Sequence, residues 1–210
     1  MKERTGNHSD AKERLSECAL NLFVEKGYSA TSVRDIVRAA GLTNPVLYYH
    51  YGSKEGLFLS VLEEAENRFF EVLDQAAGGE DSLPDYLKGV FRAYFSFTEK
   101  NLALVRLAYL LLFSPPGSHP PMNMERFRKK QQEILGEIAG RMIRKGGHYR
   151  DMTEIQAVRM LRGIIHIHVL GRLTGEIARL DEKLVIRLVN HLVRVAGNST
   201  ARKQRKRGRE

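Results

Sequence analysis

Apolar residues in this chain recur at helical spacing almost from end to end, and that spacing limits the fold more than any other feature. Leu15, Cys18, Ala19, Leu22 and Phe23 stand at i, i+3, i+4, i+7 and i+8, one stripe of an amphipathic helix. The stripe predicts a helix beginning at Ser9 or Asp10, either a suitable N-cap, and ending at Gly27. Val33, Ile36, Val37 and Ala40 mark a second helix. Ser32 is its predicted cap, with Asp35 as the return half of a capping box. Gly41 stops it. A short third helix is expected from Asn44, as N-cap before Pro45, to Tyr51. Gly52 breaks that helix and Ser53 caps the next. Longer helices are predicted at about 53–76, 83–99, 101–113, 122–145, 153–174 and 181–196. Gly78-Gly79, the Pro-rich run from Ser114 to Pro121, and Lys145-Gly146-Gly147 are the clearest breaks. No strand-like alternation is convincing, so the expected class is all-α.

Several functions drop out on composition. The chain has 210 residues, 42% hydrophobic and 28% charged, the balance of a soluble globular protein with ample core. Its longest apolar run, Leu107 to Phe113, is far short of the roughly 20 residues a membrane span needs, so no membrane partner is expected. Met1 to Glu17 is too charged for a signal-peptide apolar region. A single cysteine excludes an internal disulfide framework and a multi-Cys zinc site, which points to the reduced cytoplasm. No phosphate loop, GxGxxG or HExxH is present. The net charge of +9 is unevenly placed. The stretch 198–210 carries six basic residues against Glu210, whereas residues 1–57 are nearly balanced. Bulk charge therefore does not identify a nucleic-acid binder.

Local pattern does more. Residues 32–51 read as helix, glycine turn, short helix, the arrangement in which a second helix enters the DNA major groove. Leu42, Leu47 and Tyr51 lie on the side that returns to the first two helices. Thr43, Asn44, Val46, Tyr48, Tyr49 and His50 are left facing outward or to the flanks. That face is rich in phosphate donors, and Val46 and Tyr48 suit thymine methyls. Lys54, at the start of the next helix, reads as a phosphate clamp. A tight helical corner with surface aromatics has the same pattern.

The run from Gly27 through Tyr28, Thr31, Ser32, Arg34, Ala39-Ala40-Gly41-Leu42-Thr43 to Leu47-Tyr48-Tyr49-His50-Tyr51-Gly52-Ser53-Lys54-Glu55-Gly56-Leu57 resembles the DNA-binding domain of the TetR family of transcriptional regulators. The match covers about residues 10–58. Pro45 stands where glycine is frequent in that family, and Tyr51 where phenylalanine is. The resemblance implies a homodimer on double-stranded DNA, with a C-terminal domain that binds a small effector and releases the DNA. It assigns backbone phosphate contacts to Thr31 and Ser32, a base or phosphate contact to Arg34, base edges to Thr43, Asn44, Val46 and Tyr48, and phosphates to Tyr49, His50 and Lys54. The expected organisation is a three-helix helix-turn-helix domain over 1–52, a helical ligand-binding and dimerisation domain over 53–197, and a basic disordered tail over 198–210. The tail reads either as a solvated end or as a source of sequence-independent DNA affinity.

The helix over 181–196 has two adjoining apolar stripes, and its predecessor is apolar nearly all round from Ile164 to Leu170. Helices buried on several sides need many neighbours, which a dimer or a monomer core supplies. The resemblance places the dimer interface on these two helices. Large rings are frequent in the middle helices. Phe91, Tyr94, Phe95, Tyr109, Phe113 and Phe127, with Arg106, Arg162 and His166, are the candidate effector contacts. Each ring singly is also explained by core packing. The expected effector is largely apolar, with an anionic group as an option and Arg92, Arg106 and Arg162 as its candidate anchors.

No catalytic constellation stands out, and neither enzymatic activity nor a cofactor is expected. His166 and His168 project about 200° apart on a helix, which disfavours one shared metal. Cys18 lies on an apolar stripe and reads as inert packing. A ligand-responsive repressor on a palindromic operator is the favoured reading. A helical enzyme and a non-specific DNA-coating protein compete with it.

Overall fold

The structure, a computed structural model, describes residues 4–77, 82–145 and 149–207. Among the described residues there are nine helices and no strand: α1 (Arg4–Lys26), α2 (Val33–Ala40), α3 (Asn44–Tyr51), α4 (Lys54–Ala77), α5 (Leu83–Lys100), α6 (Leu102–Leu112), α7 (Glu125–Lys145), α8 (Glu154–Thr174) and α9 (Glu182–Arg207). The all-α expectation holds. Three ends differ from the sequence reading by more than one residue. α1 starts at Arg4 and carries Ser9 and Asp10 inside the helix, since a capping residue favours an end without imposing one. α7 begins at Glu125 rather than 122. α9 runs on to Arg207, through a stretch expected to be disordered. Ala201, Arg202, Lys203, Gln204 and Arg205 are strong helix formers with no proline among them. The breaks expected at Gly78-Gly79 and Gly146-Gly147, and His148, fall outside the described residues.

The chain forms two compact units, one of residues 1–68 with 101–123, the other of residues 69–100 with 124–210. This division differs from the boundary expected after residue 52, because α6 packs on α1. In the first unit, Ala11, Leu15, Ala19 and Phe23 form the buried face of α1. Its neighbours are Ile36, Val37 and Ala40 of α2, Leu47 of α3, Leu57 and Phe58 of α4, and Leu104, Leu107 and Leu111 of α6. Phe58 takes Phe23 edge-on at 5.3 Å and Tyr28 at 4.8 Å. Such ring pairs add about 0.5–1.5 kcal/mol each beyond the area they bury.

In the second unit α5 contacts α7, α8 and α9, and α7 lies along α8. Glu99 at the end of α5 takes a forked bond from Arg172, with Nε at 2.8 Å and Nη2 at 3.3 Å, and a third from the Leu180 N–H at 2.8 Å. The α8–α9 connection is thereby fastened to α5. These donors hold the Glu99 carboxyl below the ordinary glutamate range.

Candidate nucleic-acid interface

α2 and α3 owe their positions to a small set of caps and tethers. Ser32 caps α2: its Oγ accepts from the Asp35 N–H at 3.1 Å, and the Ser32 N–H donates to Asp35 Oδ2 at 3.1 Å. The predicted capping box is therefore formed. The Ser32 hydroxyl also donates to Asp35 Oδ2 at 2.7 Å, and this bond is the main cause holding the half-buried Asp35 carboxyl below its ordinary range. At the other end of α2, Arg14 of α1 donates to the Ala40 carbonyl, placing a cation on the negative end of the helix dipole.

α3 is capped differently from the expectation. Thr43, not Asn44, is its N-cap, and Asn44 and Pro45 form its first turn. Proline tolerates this because first-turn N–H groups have no intrahelical partner. The Thr43 hydroxyl makes no capping bond. Tyr51 ties the other end of α3 to α1: its hydroxyl donates to the Lys12 carbonyl at 2.9 Å and accepts from Ser16 at 2.7 Å. The departure from phenylalanine at this position therefore adds an anchor. Gly52 follows at φ +72, a conformation L side chains avoid. Ser53 Oγ then accepts the Gly56 N–H at 2.9 Å, capping α4 as its sequence predicts.

This scaffold leaves α3 with Leu47 fully buried and its opposite face open. Tyr48 is 50% exposed and Tyr49 76%, large values for aromatic side chains. Thr43, Asn44 and Arg34 are also exposed, and Val46 and His50 are half-buried at the flanks. Tyr49 and His50 meet edge-to-face with centroids 5.1 Å apart.

Three residues expected to touch phosphate have other partners. Thr31 is buried, and its hydroxyl donates toward the Gly27 carbonyl at 2.8 Å and that of Leu22 at 3.3 Å, closing the end of α1. Ser32 spends its hydroxyl proton and its N–H on Asp35. The Lys54 ammonium donates to the carbonyls of Tyr28 at 2.9 Å and Thr31 at 2.8 Å and sits 4.1 Å from the centroid of the Tyr28 ring. Burial pulls the pKa of this amine down. Lys54 thus fixes the α1–α2 connection against the start of α4, which gives its ammonium a positioning role. Spacing gives no warning of this, since only its long side chain brings it to Tyr28 and Thr31. The anchors Arg14 and Tyr51 were likewise missed as tethers.

The candidate effector contacts separate. Phe91, Tyr94 and Phe95 are buried on α5, and half-buried Phe127 of α7 stacks on Phe69 and Phe70 at about 6 Å. The Tyr94 hydroxyl accepts from Gln131 Nε2 at 3.2 Å, and burial pushes its pKa up to about 12. Arg162 and His166 are half-buried on α8, and burial followed by the Arg162 charge draws the His166 pKa down. Arg106, Tyr109 and Phe113 instead belong to the first unit with α6. Phe113, beyond the last turn of α6, is 78% exposed. It therefore does not join the buried rings as expected. Gln131, a buried polar residue in the register of Ile134, Leu135 and Ile138, was not singled out by sequence. Among the described residues no group of His, Cys, Asp or Glu is placed to hold a metal, and no helix is long and apolar enough to cross a membrane. Cys18 is half-buried, and burial pushes its thiol pKa up, away from thiolate reactivity.

Residues 16–61 match the profile of bacterial regulatory proteins of the tetR family. The chain is 28% identical to IcaR, the negative transcriptional regulator of the biofilm operon icaADBC in Staphylococcus epidermidis, over 69% of this chain and 71% of that protein. It is 27% identical to the transcriptional repressor KstR2 of Mycobacterium tuberculosis over 80% and 84% of the two chains. The solved structure of the ketosteroid transcriptional regulator KstR2 superposes with a TM-score of 0.69 at 24% identity, covering 86% of this chain and 92% of that one.

Proposed function

We propose that this chain, which belongs to the TetR family of transcriptional regulators, is a ligand-responsive repressor rather than an enzyme. In this reading it works in the cytoplasm as a homodimer. Two copies of α3 enter the halves of a palindromic operator, and a small, largely apolar effector in the second unit releases the DNA. The observation that carries the reading is the exposed face of α3, where Tyr48 and Tyr49 stand open to solvent above the fully buried Leu47. A helix of eight residues held by its C-cap at Gly52, the Tyr51 tether and one buried leucine presents the remainder of its surface to a groove. Thr43, Asn44, Val46 and Tyr48 are the proposed base-edge contacts. Arg34, Tyr49 and His50 are the proposed phosphate contacts, with Arg34 also within the class that reads bases.

The dimer reading is supported on α8. Ile167 and Leu170 are exposed there, Gly163 stands open one turn before Ile167, and Ile186 is exposed on α9. Apolar residues left open on these two consecutive helices suit contact with a second copy. The repressor reading draws on the names of IcaR and KstR2, and the apolar effector on the word ketosteroid in the latter's description. Release then follows from differential affinity. An effector that prefers a spacing of the two heads other than the operator's weakens DNA binding in proportion to that preference.

The test is selection of bound fragments from a genomic DNA pool by the purified protein at about 0.15 M salt, where non-specific phosphate binding is weak. The expected result is a palindrome with half-sites one helical turn, about 10 base pairs, or a multiple apart. A folded dimer that recovers no motif refutes the reading. Affinity that ignores sequence and collapses with salt identifies a DNA-coating protein instead.

A further inference from the structure

Among the described residues, Arg162 Nε is the one buried side-chain nitrogen or oxygen without a hydrogen-bond partner. A guanidinium N–H shut away from water with no acceptor is costly, and proteins leave few such groups. Arg162 acts electrostatically on the Tyr94 hydroxyl and on the His166 ring. Tyr94 stays a neutral phenol, and His166 is held toward its neutral form. The cluster therefore combines one fixed positive charge with neutral polar groups, including Gln131 on the Tyr94 hydroxyl. Beside Tyr94 stands a group of aromatic rings: Tyr94 meets Phe69 edge-on at 4.9 Å, and Phe69 stacks on Phe127 at 5.9 Å.

We infer that Arg162 anchors the carboxylate of an apolar effector held in the second unit, its Nε donating to one carboxylate oxygen while the aromatic residues around Tyr94 take the hydrocarbon body. A carboxylate fits because the guanidinium edge presents parallel N–H groups that match its two oxygens, and the bond is charge-assisted on both sides. A neutral alcohol or ester could accept from Nε but would bring no charge to match the guanidinium. The inference rests on the reading of the second unit as the effector-binding unit, and it narrows the effector from apolar to apolar and anionic.

The experiment uses the full chain and titration calorimetry with sodium carboxylates from hexanoate to hexadecanoate and with deoxycholate, each set against the matching neutral alcohol or ester. At least one carboxylate is expected to bind about tenfold or more tightly than its neutral partner, a difference of about 1.4 kcal/mol. Arg162→Met is expected to erase that preference, and Arg162→Lys to restore part of it. Without ligand, Arg162→Met is expected to melt at or above the wild-type temperature, because it removes the unpartnered buried Nε donor and fills the space of the side-chain stem as far as that atom. Equal binding of the neutral partner, wild-type binding by Arg162→Met, a lower melting temperature of ligand-free Arg162→Met, or no binding across the panel each overturns the inference. Anisotropy on the selected operator separates the two readings. Arg162-dependent binding that leaves the operator occupied sinks effector release and keeps the anchor. Release that is indifferent to Arg162→Met does the reverse.

Discussion

Gly56→Ala sets two effects of opposite sign against each other. Gly56 is the third residue of α4, where helix propensity alone favours alanine by about 0.8–1 kcal/mol. A Cβ at this position meets the Tyr51 carbonyl oxygen at 2.1 Å, well inside the 3.0 Å that real Cβ atoms respect. The atom in the way is backbone at the end of α3, and it cannot rotate aside as a side chain would. Overpacking typically costs about 1–3 kcal/mol, and an immovable neighbour puts this site at the upper end. Subtracting the propensity gain leaves a net loss of about 2 kcal/mol, and a chain of this size loses about 2–4 °C per kcal/mol. The expected fall in melting temperature is therefore about 4–8 °C. Relief of the clash displaces α3 by a fraction of an ångström to an ångström, so operator affinity is also expected to fall at temperatures where the variant is fully folded. Scanning calorimetry and anisotropy read the two effects. A melting temperature that rises would show propensity winning, and would mean that the α3–α4 turn can yield at the 2.1 Å approach to the Tyr51 carbonyl.

Other outcomes follow from the same unit and its neighbour. Tyr48→Ala is expected to lose about 1–3 kcal/mol of operator binding, the scale of one base contact, with little change in melting because the ring is exposed; wild-type affinity by anisotropy would remove Tyr48 from the reading face. Lys54→Met is expected to lower stability by about 1–3 kcal/mol through its two lost charge-assisted bonds. It should leave the slope of log affinity against log salt unchanged, and a slope reduced by about 0.9 would return Lys54 to a phosphate. Glu99 is held below its ordinary range in the folded chain, so its contribution is complete above the unfolded value of about 4.3 and is lost as pH falls through the folded one. Glu99→Gln should therefore melt below wild type at pH 7 and approach it near pH 2.5; melting curves that stay parallel across that range would contradict the Arg172 fork.

Helix identity was legible because the apolar stripes are long and regular: Leu15, Ala19 and Phe23, or Ile36, Val37 and Ala40, have one way to bury together. The Ser32–Asp35 box was equally readable, since its partners are three residues apart and local geometry decides it. At α3 the cap moved one residue because Thr43 and Asn44 are both good caps and Pro45 is acceptable in either of the first two positions. What the sequence concealed were long-range claims on polar groups. Thr31 and Lys54 look available as donors until the fold brings carbonyls of Gly27, Tyr28 and Thr31 within reach. Phe113 shares helical spacing with Tyr109, yet α6 ends at Leu112 and the ring falls on the solvent side. Periodicity reports which residues share a face, and only the assembled unit reports which face is covered.

The packing of α6 on α1 bears on how the reading head can be handled as a part. Residues 1–52 contain every helix of the DNA-binding motif, and excising them is the obvious way to graft this specificity onto another protein. Such a fragment would lack Leu57 and Phe58 of α4 and Leu104, Leu107 and Leu111 of α6, all buried in the first unit. The side of α1 that carries Phe23 would be stripped, and a greasy, partly unfolded peptide is the expected product. A portable head has to be spliced from two stretches of chain, 1–68 and 101–123, rejoined by a short linker across the excised segment. The specificity module is thus discontinuous in the gene although it is one body in space.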